Sequence, residues 1–387
     1  MSEQRGLVLL GSTGSIGRQT LEVVRALPGR FRVVALAAGS NLALLEEQVA
    51  EFRPSHVYCG AATTGIGPAE RLPMDELVRL PGVDLVVVAT TSTSALAATL
   101  RAIELGRTVA TANKEVLVAA GQIVVPAARR HGARLLPIDS EHSAIWQCLR
   151  GEDGGELTAG RSVARIALTA SGGAFRDLAL DQLASVVPAQ ALRHPVWQMG
   201  AKITIDSATL ANKAFEVIEA HWLFDLDYDR IDVVLHREGV VHSIVQFVDG
   251  SSKAQLGLPD MRVPIQYALT YPERVAGPAE HLDLTSVGRL SFEPVDMARY
   301  PAFGLIREAG RQGGTYPAAV SAANDVAVEQ FVDGRIGFTR IAETLAATLD
   351  AHEPRRDPTL DDVLEAERWA RAYAQERLSH ASSLTGR

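Results

Sequence analysis

The chain has 387 residues, 47% of them hydrophobic and 22% charged, with a formal net charge of -8. That length exceeds one ordinary core and implies a globular protein of two or three domains. The acidic balance argues against a nucleic-acid partner, no stretch approaches the roughly 20 apolar residues of a membrane helix, and Cys59 and Cys148 stand in no CxxC or Cys/His metal spacing.

Residues 7–10 (LVLL) read as a buried strand, Gly11 to Gly17 as a glycine-rich turn, and Ile16 to Ala26 as a helix with Ile16, Leu21, Val24 and Leu27 on one side. The same four-residue run is too short for a signal-peptide core, so a cytoplasmic, reducing location is expected. The turn, Gly11-Ser12-Thr13-Gly14-Ser15-Ile16-Gly17, is a GxxGxxG variant of the dinucleotide fingerprint. Its glycines let backbone approach a pyrophosphate that the helix N-terminal amides stabilise, although a purely structural turn has the same composition. The second strand, Phe31 to Ala37, is followed by Ala38-Gly39-Ser40-Asn41. An NAD-selective site would place a carboxylate there for the ribose 2′-hydroxyl. Its absence favours NADPH, with Ser40 and Asn41 as neutral donors.

Asp84 to Ala89 (DLVVVA), a helix from Ser94 to Leu105, and strands at Thr108 to Thr111 and Arg134 to Ile138 continue the alternation, which implies a doubly wound parallel sheet. Asp139-Ser140-Glu141-His142 follows the last of these strands. The i, i+2 spacing puts both carboxylates on one side of an extended chain, as a hard cation such as Mg²⁺ or Mn²⁺ requires; a solvated strand end with a helix cap reads equally well.

After about residue 150 the pattern changes. GEDGGELTAG is a polar, glycine-rich joint, and Val163 to Thr169 and Ile231 to Val248 contain strands without regular helical crossovers, so an α+β domain starts there. Ser171-Gly172-Gly173 is a small-residue turn able to bring amides to an anion. Arg193-His194-Pro195-Val196-Trp197-Gln198-Met199-Gly200 carries a proline-fixed bend, a tryptophan and a glycine hinge, the makings of a lid that excludes water, although a lone histidine is more often structural. Ser207 to Glu216 looks helical, with Asn212 and Glu216 on one face. The chain has only four lysines against 34 arginines, and two of them, Lys114 and Lys213, directly follow an asparagine and shortly precede a glutamate. Such a lysine can hold phosphate or polarise an oxygen, or form a surface ion pair such as Lys213 with Glu216. From Tyr300 onward helical spacing dominates: Val320, Ala323, Val326, Ala327 and Phe331, then Leu360, Val363, Leu364, Trp369 and Tyr373 behind Pro358 and Thr359.

Taken in order, GSTGSIG, TANKE, DSEHSAIWQ, ASGGAF, HPVWQMG, DSATLANKAFEVIEAHWLF and QLGLPDMRVPIQYAL, with SAANDVAV further on, resemble the 1-deoxy-D-xylulose 5-phosphate reductoisomerase family of the non-mevalonate isoprenoid pathway. The resemblance implies a homodimer that makes 2-C-methyl-D-erythritol 4-phosphate with NADPH and Mg²⁺, Mn²⁺ or Co²⁺. It implies Asp139, Glu141 and Glu216 as metal ligands, and Ser171, Ser207, Asn212 and Lys213 on the substrate phosphate with His194 closing over it. Ser140 and Lys114 would meet the reacting end, and Trp197 and Met199 belong to a flexible flap. Thr13, Gly14, Ser15, Ile16, Gly39, Ser40, Asn41, Asn113, Glu115 and Gly200 would touch the cofactor, and Lys114, Glu141, His194 and Glu216 carry the catalytic expectation. The family commonly has lysine where Ser40 stands and glycine where Ala214 stands. The expected architecture is an N-terminal Rossmann-like doubly wound NADPH-binding domain (1–149), a central α+β catalytic domain with the flap (150–284), a linker (285–300) and a C-terminal helical bundle (301–387). A semialdehyde dehydrogenase would need a cysteine nucleophile with a paired base, which neither cysteine shows, and a redox-sensing nucleotide binder would not need the acidic cluster.

Overall fold

The computed structural model describes residues 4–384 apart from 156 and 198. Packing divides them into two units. The first comprises residues up to 116 with 124–147 and 260–281; the second comprises 117–123, 148–259 and 282 onward.

In the first unit β1 (Arg5–Leu10), α1 (Ser15–Ala26), β2 (Phe31–Ala38), α2 (Leu42–Phe52), β3 (His56–Cys59), β4 (Glu70–Arg71), α3 (Met74–Leu77), β5 (Leu85–Val88), α4 (Leu96–Glu104), β6 (Thr108–Thr111), α5 (Lys114–His131), β7 (Leu135–Pro137) and α6 (Ser140–Leu149) follow in order. Seven parallel strands form one sheet in the order β4-β3-β2-β1-β5-β6-β7. This is the expected doubly wound sheet. Leu7 to Leu10 and Leu85 to Val88 are fully buried, as continuous apolar runs covered on both faces must be. The strand order reverses beside β1, so the crevice at its C-terminal end lies at a topological switch point. The later helix α10 (Arg262–Thr270) packs on α1 and belongs to this unit, although it follows the strands of the second unit in sequence. Helix α5 departs from helical geometry at Ala120, and residues 117–123 are grouped with the second unit.

The second unit continues with β8 (Val163–Ala170), α7 (Pro188–Ala191), α8 (Ala201–Ala208), α9 (Ala211–Phe224), β9 (Ile231–Leu235), β10 (Val241–Phe247), β11 (Ser252–Leu256), α11 (Leu284–Val287), β12 (Glu293–Pro294), α12 (Pro301–Gln312), α13 (Tyr316–Val332), α14 (Thr339–Ala351) and α15 (Leu360–Leu384). Its mixed sheet runs β11-β10-β8-β9-β12, with only β8 and β9 parallel. The segment expected as one helix from Ser207 to Glu216 is two: the chain breaks at Leu210, whose φ of 56° no α-helix accommodates. The C-terminal helices share a core with the central segment, where Phe175, Ile205 and Ala208 meet Ala327, Phe331, Phe338 and Ile341. By packing, then, the helical stretch and the α+β stretch are one unit.

Candidate active site

In the first unit the glycine turn joins β1 to α1. Gly11 has φ +95°, and a Cβ on it would meet the Ala89 carbonyl oxygen at 2.5 Å; one on Gly17 would lie 2.1 Å from the Gly11 oxygen. Only glycine fits either place. Gly14 is the N-cap of α1, and Gly14 and Ser15 are exposed, with Thr13 and Ile16 half-buried beside them. A helix N-terminus with glycine-rich, exposed backbone at a topological switch point is an arrangement suited to a pyrophosphate. At the end of β2, Gly39, Ser40 and Asn41 are exposed. Asn41 has a structural task as well, since its Oδ1 caps α2 by accepting from the Leu44 amide at 3.1 Å.

Asn113 is fully buried at the N-cap of α5. Its Oδ1 accepts from Val116 N, and its Nδ2 donates to Thr90 Oγ1 at 3.0 Å and to the Ser92 carbonyl at 2.7 Å, tying the loop after β5 to the end of β6. The next residue, Lys114, is buried with its Nζ 2.7 Å from Asp139 Oδ2; Glu115 is half-buried. The structure brings Asp139, Ser140 and Glu141 to the start of α6. Ser140 Oγ donates to Glu141 Oε2 at 2.5 Å, and its amide donates to Asp139 Oδ1 at 3.0 Å. Asp139 thus stands where a helix opens, as the capping reading has it, but it faces an ammonium rather than bulk water, and Glu141 lies in the first turn of α6 rather than on extended chain.

In the second unit, the Ser171 loop, the segment from His194 to Trp197 and the last turn of α8 converge. His194 Nε2 lies 2.9 Å from Ser171 Oγ and 3.0 Å from Ser207 Oγ, while its Nδ1 accepts from the amides of Val196 at 3.2 Å and Trp197 at 2.8 Å. A ring nitrogen accepting two amides carries no proton, so the tautomer is Nε2–H. Burial, and then the positive charge of Arg176, push the His194 pKa down to about 4, which keeps the ring neutral. One end of His194 therefore serves the two hydroxyls and the other holds the lid segment. Trp197 is half-buried with its ring 6.1 Å from that of His242, Met199 is half-buried, and Gly200 is exposed at the N-cap of α8; Gln198 lies outside the described residues.

Glu216 on α9 is 1% exposed; Asn212 Nδ2 donates to its Oε1 and Lys213 Nζ to its Oε2, each at 2.5 Å. The Lys213–Glu216 pair raised above as a surface contact is present, but it is buried, with side chains 5% and 1% exposed. A buried ion pair costs desolvation that a surface pair does not, so it is weak as a stabilising device and points to another purpose. Ala214, where the family has glycine, is fully buried on the same helix.

Two features escaped the sequence reading. Asp206, immediately before Ser207, is buried; Lys202 Nζ stands 3.0 Å away and Asn324 Nδ2 donates to it at 2.7 Å, fixing α8 to α13. The i, i+4 pair Lys202 and Asp206 was its only local signal. Arg176 and Tyr300, which hold the Ser171 loop from behind, gave no signal at all, being 124 residues apart.

Residues 7–121 match the family profile described as 1-deoxy-D-xylulose 5-phosphate reductoisomerase, and residues 135–224 and 256–373 match two C-terminal domains of that enzyme. A protein of that name from Pelotomaculum thermopropionicum is 50% identical over 95% of this chain and 97% of its own length. Another from Thermomicrobium roseum is 49% identical over 97% and 98%. Among solved structures, a DOX-P reductoisomerase in complex with NADPH, fosmidomycin and magnesium is 36% identical with a TM-score of 0.90, covering 97% of this chain and 98% of that one. The Zymomonas mobilis enzyme in complex with NADPH is 38% identical with a TM-score of 0.87, covering 97% and 99%.

Proposed function

The chain belongs to the 1-deoxy-D-xylulose 5-phosphate reductoisomerase family, and on that premise we propose how its own residues divide the work. The enzyme rearranges and reduces 1-deoxy-D-xylulose 5-phosphate to 2-C-methyl-D-erythritol 4-phosphate in isoprenoid biosynthesis, consuming NADPH and a proton, with a divalent cation. The cation, when bound, supplies Lewis-acid polarisation of the substrate's carbonyl and adjacent hydroxyl, and NADPH supplies the hydride.

The observation that carries the assignment of residues is the pairing of two shielded carboxylates, Glu216 buried and Asp139 mostly so, with ammonium groups. Asp139 faces Lys114 and Glu216 faces Lys213, and carboxylate oxygens of this kind suit a hard divalent cation. We assign Asp139, Glu141 and Glu216 as its ligands, with Mg²⁺, Mn²⁺ or Co²⁺ as the ion. Lys114, whose ammonium lies beside Asp139, and Ser140 hold the reacting end. Ser171, Ser207, Asn212 and Lys213 receive the phosphate, supported by the neutral His194 between the two hydroxyls. Because His194 Nδ1 also anchors the amides of Val196 and Trp197, occupancy of the phosphate subsite is transmitted to the flap. The flap carries Trp197 and Met199 over the substrate and excludes water from the aldehyde stage of the reaction. Thr13, Gly14, Ser15, Ile16, Gly39, Ser40, Asn41, Asn113, Glu115 and Gly200 contact NADPH.

By function the chain divides into an NADPH-binding part (1–149), a catalytic part (150–284), a linker (285–300) and a helical part (301–387). Exposed Leu284, Leu290, Phe292 and Met297 in one short segment support a homodimer. The two free, buried thiols support a cytoplasmic location; no helix among the described residues is long and apolar enough to cross a membrane. The test is NADPH oxidation with the deoxyxylulose phosphate. Turnover that stops with EDTA and returns with Mg²⁺ is expected, and turnover indifferent to chelation would refute the assignment.

A further inference from the structure

The loop Ser171-Gly172-Gly173 is held from behind by two side chains outside it. Arg176 Nη1 donates to the Ser171 carbonyl at 2.8 Å and to the Arg237 carbonyl at 3.5 Å. The Tyr300 hydroxyl, on a residue only 1% exposed, donates to the Gly172 carbonyl at 2.9 Å. Burial pushes this phenol up to about 12, so it remains a donor.

A trans peptide sends its N–H opposite to its carbonyl, so pinning the two oxygens backward turns the two amides forward. Gly173 N accordingly donates to Ser171 Oγ at 3.2 Å, and that hydroxyl lies 2.9 Å from His194 Nε2. Gly172 and Gly173 have φ of +81° and +68°. Glycine moves between such conformations at little cost, so the loop's own backbone does not choose its orientation. A peptide turned the other way would aim a carbonyl oxygen, rather than an amide, at an anion.

We propose that Arg176 and Tyr300 are positioning residues of the phosphate subsite: by holding the Ser171 and Gly172 carbonyls back, they keep the loop's amides and the Ser171 hydroxyl facing the substrate's phosphate. The inference rests on the phosphate reading of Ser171 above. Arg176 is itself steadied by Asp177, 3.5 Å from its Nε, and Arg237, whose carbonyl it also holds, is tied to Asp177 and Glu293 at 2.7 Å each. The loop thus rests on a charged scaffold of Arg176, Asp177, Arg237 and Glu293.

The experiment compares Arg176→Met, Arg176→Lys, Tyr300→Phe and Ser171→Ala by kcat, KM for 1-deoxy-D-xylulose 5-phosphate, competitive inhibition by inorganic phosphate, NADPH affinity by fluorescence, and Tm. Arg176→Met is expected to raise KM and the inhibition constant of phosphate together, by about 10- to 150-fold, the loss typical of a charge-assisted hydrogen bond. The change in kcat should stay within about twofold and NADPH affinity should hold, since a positioning effect on ground-state binding is uniform. Arg176→Lys should recover only part, because an ammonium keeps the charge but not the planar fork. Tyr300→Phe, which removes one oxygen and keeps the ring, should raise KM by about 2- to 10-fold, and it carries the test if Arg176→Met does not fold. If Ser171→Ala raises KM while Arg176→Met and Tyr300→Phe do not, the inference is overturned and the phosphate reading stands. An unaffected Ser171→Ala overturns that reading and this inference with it.

Discussion

Replacing Lys213 by methionine keeps most of the unbranched side chain and removes its charge. Two consequences follow from its place. Lys213 Nζ lies 2.5 Å from Glu216 Oε2 with both side chains buried, and removing one partner of such a pair typically costs about 3–5 kcal/mol. The Asn212 amide remains at 2.5 Å from Glu216 Oε1, which places the loss near the lower bound, about 3 kcal/mol. At roughly 2–4 °C per kcal/mol for a unit of this size, Tm should fall by about 6–12 °C in EDTA. On the proposed ligand set, a divalent cation at Glu216 would supply the missing positive charge, so most of that fall should vanish when Mg²⁺ is added. Separately, loss of a charge-assisted phosphate contact should raise KM for the deoxyxylulose phosphate by about 10- to 150-fold. Differential scanning fluorimetry with and without Mg²⁺, alongside steady-state kinetics, reads both. A Tm fall of equal size in EDTA and Mg²⁺ together with an unchanged KM would reduce Lys213 to a structural partner and refute the reasoning.

Trp197→Ala should lower kcat/KM more than tenfold, or about 1.4 kcal/mol, with Tm nearly unchanged, because the ring is half-buried in the flap and not in a core; a large Tm fall with normal kinetics would make it a packing residue. His194 and His242, both pushed by burial down to about 4, take up protons in the unfolded chain before the folded one. Stability should therefore be fully present above about pH 6.5 and be lost as pH falls toward 4. His194→Asn should flatten that slope in a Tm-against-pH series, and an identical slope would dismiss His194 as its source. Ser40→Lys should tighten NADPH by about two- to fivefold without tightening NADH, as measured by paired fluorescence titrations; equal effects on the two cofactors would place residue 40 away from the 2′-phosphate.

The first unit was legible because its signals are local. LVLL and LVVV are continuous apolar runs of the kind a two-sided parallel sheet buries, and the glycine turn between β1 and α1 is punctuated by residues that geometry demands. Less legible was anything that depended on distant chain segments. Helix α10 belongs with α1, more than two hundred residues earlier, and nothing in its own sequence announces that. The break at Leu210 was hidden because leucine does not advertise positive φ, whereas a glycine there would have. At the site, Asp139 and Glu141 were visible as an acidic pair, but the carboxylate–lysine pairing that separates a buried functional pair from a solvated one required the fold. Lys114 and Lys213 stood out only because lysine is so scarce in this chain.

The central claim, that Asp139, Glu141 and Glu216 hold the divalent cation on which turnover depends, is tested most directly with Glu216→Gln, which keeps the shape and removes one ligand charge. Turnover should fall by at least about 100-fold and require far more Mn²⁺ or Mg²⁺ for half-activation, while NADPH affinity stays within about twofold because the glycine turn is untouched. An unchanged metal requirement, or equal losses of turnover and of NADPH affinity, would contradict the claim.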